Sequence, residues 1–348
     1  MSEISKEVER SRSVKMIQIQ RFANNPLIEP HPHHKWMSVN VFNPGVCLDT
    51  DGLYKMLIRG AYTEDQSMSD LGLAFSTEGT KWHVLNEPVL ECGFNAHCSR
   101  GIRDARIVKW MDGWWYVFTT VLSASGGKIG IWRTKNFFEF EWVGIPLNQE
   151  DTDATIIPEP INGYVYMIHR RNPDIWISRT QDMSLKTGWG DSRVLIRKDQ
   201  YYNHPDHLVS PNKIGIAGQV IKTSSGHWLL KTHVVHRWDP KVTKYSYLIN
   251  RSYSLSFAVL DLLNPTEVVY VHNEGILWPE ERHEIVGIVP NVVFSCATVD
   301  PGGDALLEYW GGADTVVCGG KLMKKDLVIQ ISGKETPLFP EYCQASAE

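Results

Sequence analysis

The chain has 348 residues, 43% of them hydrophobic, and a formal net charge of −5 with acids and bases spread along its length. That balance excludes a polybasic nucleic-acid surface, and the apolar fraction is enough for two average domains or one large all-β domain. Thirteen tryptophans and thirteen tyrosines suit strands, and they suit a cleft in which flat rings stack on sugar C–H faces.

Residues 1–14 are polar and charged and read as a tail or a short frayed helix. They hold no apolar secretion segment, and no run in the chain approaches bilayer-spanning length, so no membrane partner is expected. The six cysteines (Cys47, Cys92, Cys98, Cys296, Cys318, Cys343) form no CxxC pair and no metal-type spacing. They read as reduced thiols of a cytoplasmic protein; a Cys92–Cys98 disulfide has no support beyond proximity. His31-Pro32-His33-His34 reads as an exposed loop near a cleft, and no metal is assigned to it.

From residue 15 to residue 348 a single domain is expected, because one pattern recurs and no linker interrupts it. A glycine turn leads into an aromatic or apolar strand that ends in polar residues. The instances begin at Asp51-Gly52, Asp112-Gly113, Asn162-Gly163, Ser225-Gly226 and Gly303-Asp304. D-G and N-G turns between β-rich runs are hairpin signals. A second motif follows the first three: Ala74 to Trp82, Trp132 to Phe137 with Trp142 beyond, and Ile177 to Asp182 with Trp189 beyond. Each reads as a strand, a polar turn and an edge strand closed by an aromatic. One such unit per fifty to eighty residues predicts an all-β fold, a five-bladed β-propeller around a central channel. Residues 262–269 could hold a short helical turn after a proline.

In a propeller the innermost strands deliver their ends to the channel mouth. Arg59, Asp104, His169, Arg170, His233 and Asp314 would then converge there. The pivotal stretch is Gly101-Ile102-Arg103-Asp104-Ala105-Arg106-Ile107, with one carboxylate between two guanidiniums at the mouth of a strand. The alternative for it is a surface ion pair. His169 has a structural role as its first reading, and Asp314 is open between a ligand and a residue bonding the Gly311-Gly312 turn.

These motifs resemble glycoside hydrolase family 130, the β-mannoside phosphorylases and related β-mannosidases. Asn43-Pro44-Gly45, Leu57-Ile58-Arg59 and the Gly101–Ile107 stretch are similar to the family's N-P-G, L-x-R and G-x-x-D-P-R-I segments. Asp151-Thr152-Asp153-Ala154, Met167-Ile168-His169-Arg170, Lys213-Ile214-Gly215, His233, Val289-Pro290-Asn291-Val292-Val293-Phe294 and Tyr309 to Asp314 follow in the family's order. The likeness spans roughly residues 16 to 330. It implies a propeller that cleaves β-linked manno-oligosaccharides, with β-1,2 or β-1,4 linkages, by inorganic phosphate with inversion, releasing α-mannose 1-phosphate. By that match Asp104 is the catalytic acid, acting through the mannose 3-hydroxyl. Arg170 and His233 are phosphate ligands. Asn43, Arg59, Arg106, Asp153, Lys213 and Asp314 lie around the sugar. Phosphate is a co-substrate and no cofactor is implied.

The chemistry supports the same kit. Inverting hydrolysis needs an acid and a base. Phosphate is already an anionic nucleophile and needs instead cations that hold it in line with C1. Arg grips its oxygens bidentately. The chain departs from the family pattern at Ala105, where proline is usual, and at Thr152, where many phosphorylases carry a basic residue. Arg171 and Arg237 are the candidates to replace that charge, and His236 competes with His233. Two alternatives remain: a β-mannosidase using Asp153, Glu159 or Glu284 as base, and a non-catalytic sugar-binding propeller. Linkage preference would depend on loops around 92–100 and 199–210. A homodimer is the default oligomer.

Overall fold

The computed structural model describes residues 17–63, 66, 68–201, 211–236 and 251–343. The predicted tail, residues 1–14, lies outside them, as do Arg237 and most of the 199–210 loop. A two-residue strand, β1 (Gln20–Arg21), precedes five sheets. Blade one is β2 (Asn40–Leu48), β3 (Tyr54–Ala61), β4 (Ser69–Ser76) and β5 (His83–Leu90). Blade two is β6 (Gly101–Lys109), β7 (Trp115–Ser123), β8 (Gly126–Thr134) and β9 (Glu141–Gly144). Blade three is β10 (Thr152–Ile156), β11 (Val165–Arg171), β12 (Asp174–Thr180) and β13 (Gly190–Ile196). Blade four is β14 (Pro211–Ile216), β15 (Ile221–Lys222), β16 (His227–His236), β17 (Ser252–Asp261) and β18 (Val268–Val271). After a short helix α1 (Arg282–Ile285), blade five is β19 (Val293–Val299), β20 (Ala305–Gly312) and β21 (Val316–Met323). A hairpin, β22 (Val328–Ile331) and β23 (Lys334–Pro337), follows. All ladders are antiparallel, and the arrangement is a five-bladed β-propeller.

The recurring glycine turns are the hairpins between the first and second strands of the blades. Gly52, Gly113, Gly163 and Gly226 take φ between +79° and +84°, with open space where a Cβ would stand; in the fifth turn the left-handed glycine is Gly302 at φ +85°, not Gly303 as the sequence suggests. They are glycines for backbone freedom alone. The strands they introduce, β3, β7, β11, β16 and β20, are second in each sheet, not innermost as the sequence suggests. The channel is lined instead by β2, β6, β10, β14 and β19. The second motif is the turn from third to fourth strand. Residues 262–269 form no helix: Val268 and Val269 start β18.

Each sheet is apolar on both faces and packs against its neighbours. Leu57 and Leu73 of blade one meet Ile107 and Trp132 of blade two in one buried cluster. Equivalent clusters join blades two and three, three and four, four and five, and five and one. The large buried rings Trp132, Trp228 and Trp310 belong to these seams. Among the described residues, no tryptophan lines the cleft described below.

The ring of blades is closed by the start of the chain. β1 completes blade five as its outer strand, with Gln20 opposite Lys321 and Arg21 opposite Gly320. Arg21 then reaches Glu284, donating from Nε at 3.0 Å and Nη2 at 2.8 Å. The buried Glu284 carboxylate also accepts from Trp310 Nε1 at 3.1 Å and from the backbone N–H groups of Glu280 and Glu281 at 3.0 and 3.1 Å. A buried charge with every lone pair occupied is costly to disturb. Removing one partner of such a pair costs about 3–5 kcal/mol. Glu284→Ala is expected to lower stability by roughly that amount, read as an earlier urea midpoint. A midpoint equal to wild type would show that closure does not depend on this clamp.

Candidate active site

The inner strands of blades one, two and three carry the same irregularity at the same level. In β2, Phe42 pairs with Arg59 and Gly45 with Leu57, so Asn43 and Pro44 together oppose one residue. In β6 the pairs are Arg103 with Thr120 and Arg106 with Phe118, leaving Asp104 and Ala105. In β10 they are Thr152 with Arg170 and Thr155 with Ile168, leaving Asp153 and Ala154. The first extra residue of each bulge is left-handed: Asn43 at φ +48°, Asp104 at +55° and Asp153 at +47°. Asn and Asp tolerate that region better than other side chains, at a cost of about 1–2 kcal/mol each. The bulge swings each side chain toward the channel. Asn43 fits because its neighbour in blade five is Gly311, where a Cβ would stand 2.3 Å from Asn43 Oδ1.

At the channel mouth lies a cleft of about 240 Å³. Asn43, Arg59, Gln66, Arg103, Asp104 and Asp314 line one side, and Arg170, Lys213, Arg251 and Tyr253 the other, with Val289, Val292 and Phe294 between. Asp104 Oδ1 accepts from Asn43 Nδ2 at 2.9 Å and from Arg59 Nη1 at 3.2 Å. Arg59 lies over the Phe42 ring at 4.3 Å and donates its Nη2 to Gln66 Oε1 at 3.1 Å. The Gln66 carbonyl accepts from Arg103 Nη2 at 2.6 Å. Asp314, also left-handed at φ +51°, is pushed up to about 6 by burial, with Arg59 pulling the other way and the Asp104 charge adding to the rise. It is thus part-protonated near neutrality and can donate as well as accept.

Across the cleft the charges are mostly positive. Burial would raise the Asp153 carboxyl, but Arg170 and Arg106 hold it well below the usual carboxylate range. Its Oδ2 lies 2.8 Å from Arg170 Nη1 and 3.4 Å from His233 Nε2, and its Oδ1 lies 3.5 Å from Arg106 Nη2. Arg170 also donates from Nε to Thr152 Oγ1 at 2.9 Å. Burial, with Arg170 acting in the same direction, lowers Lys213 to about 8.

The structure brings Asn43, Arg59, Asp104, Arg170, Lys213 and Asp314 to one cleft, but not every expected residue reaches it. Arg106 is fully buried below it, spending its donors on the carbonyls of Asp104 at 2.7 Å, Ile216 at 2.9 Å and Ala217 at 2.9 Å. It ties blade two to blade four rather than touching a sugar. Asp153 likewise lies behind Arg170. His233 is buried against Phe294 at 4.4 Å; burial lowers it to about 4, so it is neutral and steadies Arg170 from behind. Its rival His236 packs on Trp278 at 5.1 Å and does not line the cleft. Arg171, the expected substitute for a missing charge, instead clamps Asp151 with two 3.0 Å bonds and lies over Trp176. His169 is buried between Asp151 and Ser178. Of the bases a water-using enzyme would need, Glu284 is consumed by the closure clamp, Glu159 pairs with Lys222 at 2.7 Å, and Asp153 is neutralised by two arginines. Gln66, Arg251 and Tyr253 escape the sequence reading. Gln66 sits in a polar loop with no distinguishing neighbours, and Arg251 and Tyr253 open a third strand, where no pattern pointed to the mouth.

A propeller whose channel mouth sets two carboxyl groups, Asp104 and Asp314, beside the cations Arg170, Lys213 and Arg251 has the make-up of an active site rather than of a scaffold. The chain matches the profile of glycoside hydrolase family 130, described as beta-1,4-mannooligosaccharide phosphorylase, over residues 10–330. It belongs to that family. It is 33% identical over 320 residues to a 1,2-beta-oligomannan phosphorylase of Thermoanaerobacter sp., covering 90% of this chain and 99% of that one. It is 31% identical over 328 residues to a beta-1,4-mannooligosaccharide phosphorylase of Ruminococcus albus, covering 86% of each. Among solved structures, the beta-1,2-mannobiose phosphorylase of Listeria innocua in complex with beta-1,2-mannobiose superposes with a TM-score of 0.72 at 27% identity, covering 88% of this chain and 96% of that one.

The Lys213 shift makes a pH prediction. Its charge is present below about pH 8 and lost as pH rises through that value. Sulfate, which does not titrate in this range, is expected to bind progressively more weakly above pH 8, followed by calorimetry. Lys213→Gln should bind it less well and remove that step; an unchanged pH profile in the variant would detach the lysine from anion binding.

Proposed function

We propose that this chain is a β-mannoside phosphorylase, cleaving β-1,2- or β-1,4-linked manno-oligosaccharides by inorganic phosphate with inversion and releasing α-mannose 1-phosphate. The observation that carries this is the division of charge in the cleft. Asp104 presents a carboxyl with one oxygen fixed, and the facing wall offers Arg170 and Lys213 but, among the described residues, no carboxylate free to act as a base. Phosphate needs such a wall and water does not.

The residues then take roles that the distances support. Asn43 and Arg59 both occupy Asp104 Oδ1, which leaves Oδ2 as the oxygen that gives up the proton, relayed to the leaving group through the mannose 3-hydroxyl. Inversion requires the acid and the nucleophile on opposite faces of C1. Blade two supplies the acid, and blades three and four supply the cations, so the sugar ring lies between them. Arg170 is oriented by Thr152, Asp153 and His233 and presents the remainder of its fork to a phosphate oxygen. Asp314, Gln66 and Arg103 border the sugar side and suit hydroxyl recognition. No cofactor enters this chemistry; phosphate is the co-substrate. The six cysteines are free thiols, which suits a cytoplasmic enzyme.

The test is incubation with β-1,2- and β-1,4-mannobiose, with and without phosphate. Phosphate-dependent mannose 1-phosphate is expected, with Asp104→Asn reducing it by about 10²–10⁴-fold. Mannose released equally without phosphate would make the chain a hydrolase, and full activity in Asp104→Asn would remove the acid from the mechanism.

A further inference from the structure

The cation wall has a member that the family pattern does not supply. Thr152 stands where a basic residue would reach in from blade three, and its hydroxyl is taken by Arg170 Nε at 2.9 Å. Of the two candidates for replacing that charge, Arg171 is held by Asp151 away from the cleft, and Arg237 lies outside the described residues. The cleft nevertheless has a third cation beside Arg170 and Lys213, and it comes from blade four. Arg251 immediately precedes β17, whose first residue, Ser252, pairs with His236.

Arg251 and Tyr253 are two apart on an extended segment and so share a face. That face looks toward blade five, because Tyr253 packs on Phe294 at 6.1 Å and on His233 at 6.2 Å. The Arg251 guanidinium lies over the Tyr253 ring at 5.6 Å, and the side chain is exposed at the cleft rim. Among the described residues it is paired with no carboxylate. It is close enough to Lys213 to add to the depression that burial and Arg170 impose on that lysine. An arginine in no ion pair among the described residues, resting on an aromatic ring beside two other cations, can turn its planar fork to an incoming oxyanion.

We infer that Arg251 is a phosphate-gripping, specificity-determining side chain, delivering from blade four the positive charge that Thr152 does not deliver from blade three. This rests on the phosphorylase reading and narrows it: it names the group that makes the cleft select a dianionic tetrahedral oxyanion over water. The Tyr253 ring limits where the guanidinium can swing, so the grip comes partly pre-organised.

The test compares wild type, Arg251→Gln and Arg251→Lys in steady-state phosphorolysis, varying phosphate at saturating mannobiose and the reverse. Thermal melting confirms that all three are folded. Arg251→Gln is expected to raise KM for phosphate by about 10- to 100-fold, the loss of one charge-assisted hydrogen-bonded contact, while KM for mannobiose stays at the wild-type value. Arg251→Lys should recover part of the phosphate affinity. Sulfate binding, titrated directly without sugar, should weaken in parallel. An unchanged phosphate KM and sulfate affinity in Arg251→Gln would overturn the inference, and so would a rise confined to the mannobiose KM. Wild-type turnover that ignores phosphate would instead overturn the phosphorylase reading, and a sulfate affinity unaffected by Arg251→Gln would then remove the anion grip as well.

Discussion

The cleft exists because three inner strands break register at one level. A regular strand would point successive side chains to its two faces, into the seams with the neighbouring blades, and leave the channel axis to backbone. The bulges at Asn43, Asp104 and Asp153 rotate one side chain per strand toward the axis. Each holds a left-handed backbone angle that is unfavourable for any residue with a Cβ. The seams on both sides of every blade make that strain tolerable, since the apolar clusters between blades hold the strands on either side of each bulge.

The three bulges have the same backbone and different chemistry, and the surroundings decide which. Asn43 is a neutral donor and fixes its neighbour Asp104. Asp153 is enclosed by Arg106, Arg170 and His233 and becomes a buried anchor for the guanidinium that faces the cleft. Asp104 keeps one oxygen uncommitted among the described residues. One anion is thereby neutralised so that another can work as an acid opposite a wall of cations. The buried Arg106 matters as much here as the exposed residues. Its bonds to Ile216 and Ala217 hold blade four against blade two across the channel, which sets the width between acid and cations.

Much of this is legible in the sequence, because the features that make propellers are local. The D-G and N-G hairpins recur with their glycines left-handed, and the third-to-fourth-strand turns carry their closing aromatics. The spatial order within a blade is less legible: the glycine turns precede strands that look innermost by their apolar content but are second, since the first and second strands of each blade are buried alike. Arg106 and Arg59 look equivalent in sequence, each beside the Asp104 segment or its pairing strand. Only the channel geometry separates the strut from the ligand. Arg171 beside Arg170 alternates to the opposite side of β11, so adjacency in sequence places it away from the cleft. Arg251 and Tyr253 have no local signature at all, because what brings them to the mouth is their place at the start of the third strand of blade four rather than anything in their own neighbourhood.

The central claim is that a lone acid works across the ring from an oxyanion held by side chains of blades three and four. A crystal structure of the protein with phosphate and a mannoside bound addresses it directly. The account places the anion on Arg170, Lys213 and Arg251, with the sugar between it and Asp104 Oδ2. Phosphate bound on the Asp104 side of the ring, or outside the channel mouth altogether, would contradict it.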